Sequence, residues 1–280
     1  MDFKNKVAVV TGAGGTLCSC LAIELAKKGV KVVLVGRTKE KLDATAEKIA
    51  EFGGEYLIYP CDVTDKEAIA ELAGLVEEKF GLCDFLINGA GGNNVKAMPT
   101  ITKFDERELS GTLPEGTKGL YDIDMEAFES VIKINTMGSV IPMMEFAKHM
   151  IKKGGGSIIN FASMNTYCPL TRCFAYAMSK AAVSNMTQSF AQYYANANVR
   201  VNAIAPGFMV NERSKAYLGT VEEGLTPRGE QVIGHTPMGR FGKADDLVGC
   251  AMWLLDSEAS SFVTGTTIPV DGGFLTLGGV

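Results

Sequence analysis

Little in this sequence is suited to holding a metal. Its 280 residues include only two histidines, His149 and His235, far apart in the chain. The seven cysteines, at 18, 20, 61, 83, 168, 173 and 250, form no Cys-x-x-Cys pair and have no histidine at zinc-like spacing. No metal site is therefore expected, and an odd, scattered set of cysteines reads as reduced core thiols instead of a disulfide framework. No stretch approaches the ~18 unbroken apolar residues of a membrane span. The lysines are dispersed among acids and the net charge is −5, so the basic stripe of a nucleic-acid surface is also missing. Met1-Asp2-Phe3-Lys4-Asn5-Lys6 lacks the charged, apolar and small-residue order of a signal peptide, which makes the cytoplasm the expected location. Linkers and internal repeats are not apparent either, and one domain over residues 1–280 is expected.

What is present is an alternation of strand and helix. Lys6 to Val10 is a short β-branched run, and Leu17 to Lys28 repeats apolar residues at helical spacing before Gly29. Val30 to Val35 is followed by a helical Glu40 to Phe52, Tyr56 to Tyr59 by Lys66 to Phe80, and Asp84 to Ile87 by loop. Ser157 to Phe161, Val199 to Ile204 and Thr267 to Val270 supply three more strands. Strands apolar on both faces, separated by amphipathic helices, predict an α/β fold with a doubly wound parallel sheet. Two stretches, 89–122 and 209–238, escape the rhythm and are too long for ordinary connections, so they are expected to be substrate loops.

The first strand runs into Thr11-Gly12-Ala13-Gly14-Gly15-Thr16-Leu17-Cys18. Glycines at a strand-to-helix turn let backbone approach a pyrophosphate, and the helix N-terminus offers free N–H groups and a favourable dipole. Gly12, Gly14, Gly15, Thr16 and Leu17 are the residues this implicates. The second strand ends Val35-Gly36-Arg37-Thr38, without the acid that usually accepts from the adenosine ribose of NAD. Arg37 instead suits a 2′-phosphate, which predicts NADP(H) over NAD(H). Asp62-Val63 is placed to flank the adenine, and Asn88-Gly89-Ala90-Gly91 to form a close-approach loop.

In Tyr176-Ala-Met-Ser-Lys180 a spacing of four puts phenol and ammonium on one helix face. A nearby cation favours phenolate, so Lys180 is expected to lower the Tyr176 pKa and make it a general acid/base. Ser163 lies just past a strand at the sheet's carboxyl end, and Asn135 lies in the helical 124–152 segment, where its amide suits a buried water or a helix bend.

Over almost its whole length the chain resembles the classical short-chain dehydrogenase/reductases. The matching pieces are Thr11-Gly12 with its glycine run, Asp62-Val63, Gly89-Ala90-Gly91, Asn135, Ser163, Tyr176, Lys180, Pro206-Gly207 and Val270-Asp271-Gly272-Gly273. The resemblance implies a Rossmann-like single domain in which Tyr176 exchanges a proton with the substrate oxygen and Ser163 hydrogen-bonds that oxygen. It further implies that Lys180 holds the nicotinamide ribose, that Asn135 supports a relay water, and that Pro206 and Gly207 join the cofactor site. Thr16 and Cys18 stand where the family has glycines, and Asn88-Gly-Ala-Gly replaces its Asn-Ala-Gly.

A narrower similarity is to the D-mannonate oxidoreductases, or fructuronate reductases, carried by Gly91-Gly-Asn-Asn94, Ser163-Met-Asn165, Pro169-Leu-Thr171, Leu225-Thr-Pro-Arg-Gly229 and His235 to Gly242. It implies a keto sugar acid as substrate, whose hydroxyls and carboxylate Asn93, Asn94, Asn165 and Arg172 or Arg228 would meet. A gluconate 5-dehydrogenase-like or 3-oxoacyl reductase is the alternative within the family. A non-catalytic nucleotide sensor would not need the intact Ser, Tyr, Lys and Asn set. Family resemblance also implies a homotetramer, with Phe274 to Val280 and the segment around Trp253 at subunit contacts.

Overall fold

Strands that are apolar on both pleat faces have no side to give to water, so they pair in parallel beneath two layers of helices. The computed structural model describes residues 2–220 and 223–278, with the side chains of all of these except Glu212 and Arg213. Val221 and Glu222 of the second long loop, and Gly279 and Val280 of the apolar C-terminal segment, lie outside the described residues. The strands are β1 Val7–Thr11, β2 Lys31–Gly36, β3 Tyr56–Pro60, β4 Phe85–Asn88, β5 Gly156–Phe161, β6 Val199–Pro206, β7 Gly219–Thr220, β8 Gly224–Leu225 and β9 Thr267–Val270. Seven of them make one parallel sheet in the order β3-β2-β1-β4-β5-β6-β9, while β7 and β8 pair as a separate antiparallel ribbon. This is a single Rossmann-like domain, as the alternation predicts.

The helices are α1 Thr16–Lys27, α2 Lys39–Ala50, α3 Lys66–Phe80, α4 Arg107–Ser110, α5 Met125–Lys153, α6 Phe174–Tyr194, α7 Glu212–Leu218, α8 Pro227–Gly234 and α9 Val248–Leu255. Strand pleating divides the core in two. Ala8, Val10, Val32 and Leu34 pack with Leu21, Leu25, Leu42 and Ile49, whereas Val7, Val9, Val33 and Val35 pack with Ile69, Leu72, Met143 and Phe146. Each such aliphatic side chain, fully removed from water, stabilises the fold by about 1.5–3 kcal/mol. Helix limits follow local chemistry. The helix expected over 40–52 stops at Ala50 because Gly53, at φ +73°, turns the chain left-handed. Asp124 caps α5 by accepting from the Ala127 N–H, and Asp65 caps α3 by accepting from Glu67 and Ala68.

From β1 the chain steps outward to β3, then crosses back through α3 to β4 on the other side of β1. The carboxyl ends of β1 and β4 therefore diverge at a crevice, the position where doubly wound sheets take their ligands. The two long excursions rise at this same end of the sheet and carry structure of their own. In 89–122, Thr100 N donates to Lys118 O (2.9 Å) and Lys118 N to Thr100 Oγ1 (2.8 Å), closing a loop around α4. The second holds α7, the β7–β8 ribbon and α8, which starts with Pro227 and is capped by Thr226 accepting from Gly229 N. Among the described residues no helix is long and apolar enough to cross a membrane, and no group of three or more His, Cys, Asp or Glu is placed to hold a metal.

Candidate active site

The floor of the crevice is built by one hydroxyl. Thr11 Oγ1, at the end of β1, accepts from the N–H groups of Gly89 (3.1 Å) and Ala90 (3.2 Å) and donates to Ile87 O, fastening the β4 loop to β1. Gly12 then turns at φ +68°, and a Cβ there would lie 2.7 Å from Gly89 O. Only glycine fits. Gly15 opens α1 without a side-chain cap, leaving the N–H groups of Thr16 and Leu17 with no carbonyl a turn earlier. The resulting cleft has a volume of about 540 Å³ and runs from Gly12 and Gly15 to Arg37 and Lys41 at one end and to Gly91 and Phe161 at the other. A close-packed glycine cradle at a free helix N-terminus, with two cations beyond it, fits a dinucleotide.

Gly14, Thr16, Leu17, Val63, Gly89 and Ala90 also line this cleft, as expected from sequence. Besides Lys180, described below, four residues expected at the cofactor stand elsewhere. Asn88 is buried below the floor, where its Nδ2 donates to Asn160 Oδ1 (2.9 Å). Asp62 turns its Oδ1 to Thr64 N and Oγ1, contacts that hold its carboxyl below the ordinary range, with Arg37 adding to the effect. Pro206 ends β6, and Gly207 lines a separate cavity with Asp271 and Arg240. Lys41, Thr38 and Cys18 line the cleft without having been expected there, because a lysine on an amphipathic helix and a thiol in a core carry no distinguishing pattern.

The residues expected to be catalytic converge at the inner end. Ser163 follows β5, and α6 carries Tyr176 and Lys180 on one face. Burial pushes the Tyr176 phenol up to about 12, and the hydrogen bond from Ser163 works against that rise. Lys180 is buried, which lowers its ammonium to about 8, and its Nζ donates to Phe161 O at 2.6 Å. Nζ stands 5.6 Å from the Tyr176 ring centroid. The expected lowering of the phenol by Lys180 is thus not what the surroundings produce: the ammonium is turned to a carbonyl, and the Ser163 hydroxyl is what favours phenolate. Asn135 donates through Nδ2 to Gly92 O and Val131 O (both 2.8 Å) and accepts from Gly92 N (3.2 Å). Its side chain braces the loop after β4 against α5, and a Cβ on Gly91 would overlap its Oδ1.

Of the polar residues expected around a substrate, Asn93 and Asn94 are loop caps: Asn93 accepts from Asn94 N (2.9 Å) and Asn94 from Lys96 N (3.0 Å). Asn165 is buried against Ser163. Arg172 and Arg228 differ from these. Both act on the Cys173 thiol, which burial pushes up and their guanidinium groups pull down, and Cys173 in turn acts on Tyr176. Arg172 holds a left-handed backbone (φ +68°) uncommon for its type and donates through Nη1 to Thr100 O (3.2 Å), while its buried Nε has no hydrogen-bond partner among the described residues.

Comparison with known proteins agrees with this geometry. Residues 6–218 match the short chain dehydrogenase family. A Haemophilus influenzae protein described as a candidate D-mannonate oxidoreductase, solved with bound NAD, superimposes with a TM-score of 0.92 at 42% identity, covering 99% of this chain and 97% of that one. The oxidoreductase UxuB of Bacillus subtilis is 39% identical over 100% of this chain and 98% of its own length. A 2-dehydro-3-deoxy-D-gluconate 5-dehydrogenase of Dickeya dadantii is 32% identical over 98% of this chain and 97% of its own. With the sheet, the glycine cradle and the Ser163–Tyr176–Lys180 cluster in place, the chain belongs to the short-chain dehydrogenase family and is a nicotinamide-dependent oxidoreductase acting on CH–OH groups.

Proposed function

We propose that this enzyme interconverts a keto sugar acid and its hydroxy acid, namely D-fructuronate and D-mannonate, with NADP(H) as the favoured cofactor. The observation that carries the substrate class is the pair Arg172 and Arg228 beside Cys173, at the start of the helix that holds Tyr176, with the Arg172 Nε buried and without a partner among the described residues. A buried guanidinium edge with an unmet donor calls for an acceptor, and a carboxylate meets it in a charge-assisted fork. Similarity to the Haemophilus influenzae and Dickeya dadantii proteins, both described by sugar-acid substrates, supports the same reading.

In ketone reduction the Tyr176 hydroxyl gives its proton to the carbonyl oxygen, and in oxidation the phenolate takes it back. Ser163 donates a hydrogen bond to that oxygen as negative charge grows on it. Lys180, held by Phe161 O, brings a positive charge beneath the site beside Gly91, where it would meet the nicotinamide ribose. The bound cofactor supplies or accepts the hydride. Gly12, Gly15, Thr16 and Leu17 hold its phosphates, and Gly91, braced by Asn135, forms the wall beside Lys180. Arg37 and Lys41 meet a 2′-phosphate at the outer end; they are two cations where an acid would favour the bare ribose of NAD.

In the same reading the protein works in the cytoplasm as a homotetramer. Its seven free cysteines suit a reducing compartment. Met137, Met144 and Ile151, seven residues apart on α5, leave an exposed apolar stripe of the kind that two-fold contacts cover. The deciding assay follows NADPH and NADH oxidation with D-fructuronate, 5-ketogluconate, 2-dehydro-3-deoxygluconate and a 3-oxoacyl thioester. Fructuronate should give the highest kcat/KM, and NADPH should exceed NADH. Preference for the uncharged thioester would overturn the sugar-acid reading, and preference for NADH the role of Arg37.

A further inference from the structure

The geometry around Ser163 points to a positioning residue: we propose that Asn165 fixes the direction of the Ser163 hydroxyl proton and so makes Ser163 an obligate hydrogen-bond donor to the reacting oxygen. This rests on the Ser163 and Tyr176 chemistry proposed above. A hydroxyl has one proton to give and two lone pairs to receive. Ser163 Oγ accepts from the Asn165 backbone N–H at 3.2 Å and lies 3.4 Å from Asn165 Nδ2. The first contact is the ordinary cap of the turn Met164–Thr166, but the second is not needed for any cap. Both atoms of Asn165 are nitrogen donors, so both lone pairs of Ser163 are taken and only its own proton remains to be shared.

The amide cannot turn around. Asn165 is 5% exposed, and its Oδ1 accepts from Leu170 N at 2.9 Å, a group that can only donate. That contact fixes Oδ1 on the Leu170 side and therefore Nδ2 on the Ser163 side. With its acceptor sites filled, the Ser163 O–H is directed at the Tyr176 oxygen, and a hydrogen bond given to the phenolate stabilises the ionised form. The same proton would meet the substrate oxygen. Asn165, expected from sequence to touch substrate, thus acts one bond behind the reacting atoms.

Asn165→Asp tests the polarity directly, because the shape is kept and the Leu170 N–H still finds an acceptor, but an ionised carboxylate now draws the Ser163 proton away. Turnover of N165D should fall at least ten-fold below that of N165A, with the alkaline rise of alcohol oxidation moved to higher pH and cofactor KM changed less than two-fold. In ketone reduction, which uses the phenol, lowering the pH should bring N165D back towards N165A, since a protonated carboxyl donates again. In a Ser163→Ala background N165D and N165A should become equal. A gap that persists without Ser163, or an N165D as active as wild type at neutral pH, overturns the proposal. Should N165A fail to fold, N165D against Asn165 in the two backgrounds decides alone. Full turnover in Ser163→Ala and Tyr176→Phe would instead overturn the underlying mechanism.

Discussion

The two ends of the crevice are built by different means. The cofactor end consists of strand and helix termini joined backbone to backbone: Thr11 Oγ1 receives two N–H groups from the β4 loop, and Gly12 packs against Gly89 with no room for a methyl. The proposed substrate end is made of irregular chain that hydrogen-bonds to itself through caps, with Arg172 holding a strained backbone, worth about 1–3 kcal/mol, and a donor unmet among the described residues. Regular elements set the first before any ligand arrives, whereas the second owes its shape to a handful of side chains. Specificity can therefore vary at one end while the chemistry and the cofactor grip stay fixed at the other, with Tyr176 between them.

This contrast is open to attack in order of expected effect. Tyr176→Phe, which removes the acid/base between the two ends, should lower kcat about 10²–10⁴-fold while cofactor affinity, read by fluorescence titration, stays near wild type. Arg172→Ala should raise KM for a sugar acid about 10–100-fold, the loss of a charge-assisted contact, and leave KM for the cofactor alone. A matched effect on both would show that the ends are not separable. Gly89→Ala should do the reverse. The new methyl overlaps Cys18 Sγ, so about 1–3 kcal/mol of stability should go, with weaker cofactor binding, and Cys18→Ala in the same chain should recover most of both by thermal melting and titration. The mildest test is pH. Because burial holds the phenol high, alcohol oxidation, which needs phenolate, should rise with pH, while ketone reduction, which needs phenol, should hold level until the Lys180 ammonium loses its proton near pH 8 and fall beyond it. Reversal of both slopes would reassign the proton carrier.

The cofactor end was legible in sequence for the reason that makes it rigid. Gly12 turns where a Cβ cannot go, and such positions leave a residue-type signature, as do the two-sided apolar strands. The four residues proposed to be catalytic, Asn135, Ser163, Tyr176 and Lys180, stood out in sequence as a set tied to places in the fold, and the fold brings them to one end of the crevice. The rest depended on facts that spacing does not carry. Asn88 and Asp62 sit at the right height of the sheet but turn to Asn160 and Thr64, and which way an amide or carboxylate turns is decided by neighbours distant in sequence. Tyr176 and Lys180 share a helix face as predicted, yet a carbonyl of β5 captured the ammonium. Arg172 and Arg228 belong to different loops, and only the folded chain brings both to Cys173.

Cys18 and Gly89 show how this chain departs from its relatives without losing their architecture. By its resemblance to the family, position 18 is a thiol where a glycine is usual, and the residue across the floor, Gly89, has no side chain, so the volume that a loop side chain would fill is taken by α1 instead. Neither site is free to drift alone. For protein engineering, a glycine-rich turn transplanted into this scaffold from a cousin would leave a hole beneath the dinucleotide, and a β4 loop transplanted by itself would collide with sulfur. The smallest exchangeable module here is therefore a pair of segments some seventy residues apart, about 71 by their numbering, which must travel together.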